Sequence, residues 1–225
     1  MVINTLLHPR SRQKGVTLIT VMIILVVITL LGISAMRMSM SSLALATNSQ
    51  VTNLLFQSAD VGLVQVANEI KAKAGTADGA GGVLVDVISS EGAEIYYCVT
   101  PKDAANTLTK GKCDVTNSAH FMSGRDAVAT QVAVKMVDNT DFALGTDTSL
   151  ASALVPIKIA IYSTAVLHSF GSATKSKINE CFAKKNDDSS DTSKATEIVS
   201  VTDCLTDNGA VFNSQVDEAT YGYKF

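Results

Sequence analysis

The pattern of apolar and polar positions divides the chain into three stretches. The first lies between Lys14 and Arg37, where residues 15–36 give 22 consecutive positions without an ionisable side chain. Thirteen of the 21 residues from Val16 onward are Val, Leu or Ile. A helix of that length spans roughly 33 Å, enough for a hydrocarbon core of about 30 Å. At roughly −0.3 to −0.6 kcal/mol each, the thirteen aliphatic residues favour insertion by about 4–8 kcal/mol. Thr17, Thr20, Thr29 and Ser34 do not cancel this, because each hydroxyl can bond a carbonyl one turn back. Residues 16–36 are expected to form a transmembrane helix.

In the second stretch, residues 37–74, the helical period persists. Val51, Leu55, Ala59, Gly62, Leu63, Val66 and Ile70 recur mostly at spacings of three and four, while Asn48, Gln50, Asn53, Gln57, Asp60 and Asn68 mark the opposite side. No proline occurs between Pro9 and Pro101, so span and stripe read as one helix of about 55–60 residues, roughly 85 Å long. Residues 37–42 lack heptad charges, which argues against a coiled coil. Gly75 and the glycines at 79, 81 and 82 signal the end of the helix. They do not make a phosphate-binding loop, since no lysine follows before Lys102.

Beyond Gly82 the period changes to that of strands. Residues 83–88, 93–100, 132–137 and 154–167 are short β-branched runs bounded by turn formers, and 197–202 and 218–223 are weaker candidates. Ile157, Ile159 and Ile161 alternate with Lys158, Ala160 and Tyr162, as in a sheet with one buried face. Pro156 suits the start of a strand or an edge. Strands that follow one another without long helices between them imply an antiparallel sheet, so the fold class is α+β. Packing one face of the sheet on the 51–70 stripe would bury both apolar surfaces. The polar run 186–194 reads as a surface loop.

Charge settles orientation and narrows the partners. Arg10, Arg12 and Lys14 precede the span, and the first acidic residue is Asp60. Positive flanks stay cytoplasmic, so the N-terminus is expected inside and everything after Arg37 outside. Without residues 1–15 the chain carries 15 basic and 21 acidic residues, a net charge of −6. With no basic cluster left in the head, nucleic acid is not an expected partner.

Cys98, Cys113, Cys181 and Cys204 all fall on the outer, oxidising side, and an even count suits two disulfides. Three connectivities are open. The sequential pairing, Cys98 with Cys113 and Cys181 with Cys204, closes the smallest loops and is the one expected. A zinc site lacks both Cys-x-x-Cys and a histidine at ligand spacing. Asp138, Asn139, Asp141 and Asp147 gather oxygen ligands but not in the calcium-loop order, so a solvated acidic turn is expected. His120 and His168 stand outside any hydrolase or metalloprotease motif, and no titratable cluster suggests an enzyme or a cofactor.

The junction at residue 15 adds a specific resemblance. Lys14-Gly15-Val16-Thr17-Leu18-Ile19-Thr20 places a basic residue and a glycine directly before the apolar helix, and it resembles a type IV prepilin processing site. Together with Leu30-Leu31-Gly32-Ile33-Ser34-Ala35 and Phe56-Gln57-Ser58-Ala59-Asp60-Val61-Gly62-Leu63, it is similar in order and spacing to PilX-type minor pilins over about residues 13–70. The resemblance implies a leader, residues 1–15, removed by prepilin peptidase between Gly15 and Val16, with methylation of the new N-terminus. It implies that Val16, Leu18, Ile19 and Thr20 pack against neighbouring subunits. It also implies a pilin-like head over residues 75–225, with other minor pilins, the major pilin and a tip adhesin as partners. Two positions depart from the family: the first mature residue is Val16 rather than Phe, and the fifth is Thr20 rather than Glu. A glutamate there is thought to pair with the N-terminal amine of a neighbouring subunit, and Thr20 cannot. A tip subunit, with none ahead of it, would need no such pair.

Three alternatives share the hydropathy. A cleaved signal peptide has small-x-small sites at 32–34 and 44–46, although its apolar run is ordinarily about 7–15 residues. A K-type minor pseudopilin of type II secretion would fit Thr20, but such proteins usually carry an additional large helical domain. An uncleaved signal anchor could tether a periplasmic binding protein or enzyme.

Overall fold

The computed structural model describes residues 16–73, 82–90, 92–102, 105–122, 126–137, 155–186 and 200–223. The chain divides into two compact units, residues 1–50 and 51–225. Helix α1 (Val16–Lys73, 58 residues) contributes to both. In the first unit every described side chain from Thr17 to Gln50 is exposed.

The second unit is built on a five-stranded antiparallel sheet of order β2-β1-β3-β4-β5, formed by β1 (Ile95–Lys102), β2 (Ala105–Lys110), β3 (Val128–Met136), β4 (Val155–Gly171) and β5 (Ala210–Tyr223). The α1 residues of this unit lie on one face of the sheet. Leu55, Ala59, Gly62, Val66 and Ile70 are buried at steps of four, three, four and four, the period that keeps one stripe turned to the core. Leu55 and Ala59 pack with Val128, Ala165 and Leu167. Val66 and Ile70 pack with Tyr97, Val99, Val132, Val134 and the isoleucines at 157, 159 and 161. Fully burying Leu55, Val66 and Ile70 contributes about 1.5–3 kcal/mol each, more than any single hydrogen bond in the interface, at roughly 1 kcal/mol.

A short helix, α2 (Val83–Ser89), joins α1 on that face. The strand expected over residues 83–88 is therefore not formed. Val83, Leu84 and Val87 are buried at helical spacing against the sheet, so tertiary burial overrides the β-propensity of the run. Asp86 fixes the helix by accepting hydrogen bonds from Tyr97 Oη and Lys110 Nζ, both at 2.7 Å. Burial alone would raise the Asp86 pKa, but these bonds and the lysine charges outweigh it and hold the carboxyl below its ordinary range.

The opposite face of the sheet is covered by α3 (Lys175–Phe182), α4 (Val201–Asp207) and the segment from Cys113 to Phe121. The weak strand candidate at 197–202 fails where the structure describes it. Ser200 caps the N-terminus of α4 by accepting from Asp203 N, and Val201 and Thr202 open the helix. Helix α3 and strand β2 lacked sequence signals, having three buried residues and one central leucine respectively. Strands β3, β4 and β5 run longer than expected, starting at 128, ending at 171 and starting at 210. Pro156 pairs with Gly222 of β5 and lies beyond the last β3 pair, Met136 with Ile159, so its missing N–H costs no bond on that side.

Gly62 is where α1 comes closest to the sheet. A Cβ there would sit 2.9 Å from Val132 Cγ2 and 3.2 Å from Thr130 Cγ2, with Ser163 Oγ closer still. Glycine within a helix costs about 1 kcal/mol relative to alanine, whereas overpacking a tight core costs about 1–3 kcal/mol, so the close contact outweighs the propensity. Gly62→Val is expected to lower unfolding free energy by about 1–3 kcal/mol in chemical denaturation. Gly32→Ala, with nothing within 4 Å, should cause no such loss.

Asp86 generates a pH prediction. Its stabilising contribution is fully present above the ordinary carboxylate range and is lost as pH falls through its depressed value. Asp86→Asn should flatten the acid limb of the stability–pH curve measured by denaturation at each pH.

Candidate assembly surface

Two surfaces carry the chemistry expected of the chain, and neither is a catalytic cleft. The first is the exposed apolar part of α1. Leu18 is 69% exposed and Leu45 73%, and the aliphatic residues between them are similarly open. Three hydroxyls before Arg37 are satisfied locally: Thr20 Oγ1 donates to Thr17 O at 2.9 Å, Thr29 to Val26 O at 2.8 Å and Ser34 to Leu30 O at 2.8 Å. The stretch therefore presents aliphatic groups without an unmet polar atom on these hydroxyls, which suits lipid or other apolar helices equally. Among the described residues one helix, α1, is long and apolar enough to cross a membrane. An exposed apolar area of this extent marks a membrane or protein contact.

Val16 is the first residue of α1, and Leu18, Ile19 and Thr20 follow in its first turns. Leu18 and Ile19 are exposed. The hydroxyl of Thr20 bonds its own helix, and no carboxylate occupies this part of the span. Gly15 and the expected leader lie outside the described residues, as do Asp138, Asn139, Asp141 and Asp147 and all of the polar run 186–194 except Asn186.

The second surface is the contact between the Phe56–Leu63 block and the sheet. Ser58, Ala59 and Gly62 turn inward, while Phe56, Gln57 and Asp60 turn outward. The helix backbone here receives donors from the sheet: Ser163 Oγ donates to Ala59 O at 2.7 Å and Gln215 Nε2 to Phe56 O at 3.0 Å. Thr130 Oγ1 lies 3.5 Å from Ser58 O and 2.8 Å from Met122 Sδ. The buried hydroxyls of the central strands thus find partners, which removes the cost of an unpaired polar group in the core.

On the far face of the sheet the cysteines form two disulfides, Cys98–Cys113 and Cys181–Cys204, with Cα atoms 4.9 and 5.4 Å apart. The first ties β1 to the segment after β2, and the second ties α3 to α4. Gln131, buried on β3, joins the two. Its Oε1 accepts from Cys113 N at 3.0 Å and its Nε2 donates to Phe182 O at 2.9 Å. Asn179 of α3 adds a second link, accepting from Val115 N at 2.9 Å and donating to Asp114 Oδ1 at 2.6 Å. Bonds from Thr116 and then Asn179 hold the Asp114 carboxyl below the ordinary range.

The two histidines have separate structural partners, Asp114 N for His120 and the buried ring of Phe121 for His168. His120 Nδ1 accepts from Asp114 N at 2.8 Å, and the His168 ring centroid lies 4.9 Å from that of Phe121. These are packing roles. Among the described residues no group of three or more His, Cys, Asp or Glu could hold a metal ion. Burial, together with bonds to Glu94 and Asp86 respectively, pushes the phenols of half-buried Tyr96 and buried Tyr97 upward.

A helix with an uncovered apolar start and a docked continuation, on a disulfide-linked antiparallel sheet, is a pilin-like arrangement of the α+β class. Residues 14–64 match the family model described as PilX N-terminal, a segment running from the glycine junction through the docking block. The match covers 51 of the 225 residues and shows that this N-terminal segment is similar to that of PilX-type pilins. Neither the curated proteins nor the solved structures gave a match.

The double variant Cys181→Ser, Cys204→Ser opens a loop of 23 residues and should cost about 3 kcal/mol in the chain-entropy model. Denaturant unfolding of the variant beside the oxidised parent checks this.

Proposed function

We propose that this chain is a minor pilin of a type IV pilus, held in the bacterial inner membrane until assembly and acting by helix packing to prime the filament at or near its tip. The observation that carries the reading is the division of α1. Its first part is aliphatic, exposed and free of charge, and its continuation is buried against the sheet at Gly62 within a PilX-type match. An aliphatic helix surface exchanges lipid for helix contacts at little hydrophobic cost, so movement between membrane and filament can be reversible.

In this reading residues 1–15 are a leader, cut after Gly15 by prepilin peptidase, and residues 16–36 cross the membrane with the N-terminus cytoplasmic. Residues 37–74 form the amphipathic half of the helix, and 75–225 form the outer head. Val16, Leu18, Ile19 and Thr20 pack against other minor pilins and the major pilin. Thr20 offers no carboxylate to a preceding subunit, which favours a position at the tip, where a large adhesin can be supported. Twitching motility and adhesion follow from that position.

Thr20 also suits a K-type pseudopilin of type II secretion. Against this, the described helices of the second unit other than α1 are short, α3 being eight residues and α2 and α4 seven each. Deletion should abolish twitching and spare secretion under the pilus reading, with the reverse for a pseudopilin.

N-terminal sequencing of the membrane form tests the processing step. The chain should begin at Val16 with a methylated amine, and replacing Gly15 with a bulky residue should leave it uncut and unassembled. An intact Met1, or normal function without Gly15, would contradict the proposal.

A further inference from the structure

The two edges of the sheet differ in a way that the anchor and the docking block do not explain. One edge, β2, has six residues and ends at Lys110, the short and charged form that discourages pairing with other chains. The other edge, β5, has 14 residues and contains no proline and no lysine. From Val211 to Tyr223 it pairs with β4 in unbroken register, the one irregularity falling between Leu167 and Gly171. In an antiparallel strand every second residue directs its N–H and C=O away from the partner strand. Among the described residues no further strand meets those groups. A long edge in continuous register, without proline, lysine or a bulge from Val211 onward, can act as a template for strand addition. Its two carboxylates, Asp217 and Glu218, restrict what can pair there.

The side chains along this edge describe what would pair there. Val216 is 58% exposed and points away from the α1 face, opposite Tyr162 of β4. Asp217 points to the α1 face, opposite Ile161, and no cation is paired with it among the described residues. On the Val216 face Glu218 is already neutralised by Lys158 at 2.6 Å. An incoming strand therefore meets an apolar seat on one side and an uncompensated carboxylate on the other. An extended segment with alternating apolar and basic residues satisfies both at once, because its side chains also alternate between faces.

We propose that the outer edge of β5 is a strand-addition site for an extended, alternating apolar and basic segment of another protein. Main-chain bonds supply the attachment, and Val216 and Asp217 supply the selection. The site does not depend on the filament reading, and its test uses the isolated chain.

The test is hydrogen–deuterium exchange with mass spectrometry on the full chain in detergent micelles. The probes are blocked octapeptides alternating valine with lysine, or valine with glutamate. The valine–lysine peptide should slow exchange across residues 211–222 at least threefold, and the valine–glutamate peptide should not. Asp217→Lys, a change at an exposed position, should reverse that preference. Val216→Lys should weaken the effect of the valine–lysine peptide while leaving the exchange of β3 and β4 unchanged. Absence of slowing with either peptide would overturn the proposal, as would equal slowing by both with no response to Asp217→Lys. Protection that rises with protein concentration without peptide would assign the edge to a second copy, and concentration-independent protection would assign it to this chain's own residues. Either result would also overturn it.

Discussion

Much of the second unit depends on one close approach, the passage of α1 over the central strands at Gly62. The absence of a side chain at 62 lets the helix backbone come near enough for Ser163 to reach the carbonyl of Ala59. On either side of that point Leu55, Val66 and Ile70 find apolar partners on β1, β3 and β4. A larger residue would lift the helix away, opening the aliphatic contacts and leaving buried hydroxyls unpaired. The small residues of the 56–63 block are therefore best understood as a docking surface, with Phe56 and Asp60 left on the outside.

The same helix meets two solvents. From Thr17 to Gln50 its described side chains are open, and those before Arg37 are overwhelmingly aliphatic. From Val51 on, every third or fourth residue is buried. An aliphatic cylinder with internally bonded hydroxyls suits lipid and a bundle of other apolar helices alike, as the proposed pilin role requires. The outer residues face different demands. There the sheet is clamped on its far face by two disulfides, and Gln131 and Asn179 bind the cystine-bearing segments to each other.

The features legible in the sequence were those written as period or as chemistry. The span is a continuous apolar run, the 51–70 stripe repeats at helical spacing, and Ile157, Ile159 and Ile161 alternate like the strand they form. The disulfides in the structure follow the pairing that closes the smallest loops. Residues 83–88 misled because a β-branched run was folded into a helix by burial of Val83, Leu84 and Val87, with Asp86 tied to Tyr97 and Lys110. Strand β2 was invisible because an edge strand needs few apolar residues. The roles of Gln131, Asn179 and Asp114 arise from register between distant elements, which no local pattern records. The contact of Gly62 with the sheet belongs to the same class, although its place in the stripe was plain.

The most direct test is to shear surface filaments from cells, purify them and search them for this chain by mass spectrometry. The account predicts a small but reproducible amount of it in the filaments, far below the major pilin, with α1 intact from Val16. Pili that form normally in its absence and never contain it would contradict the account.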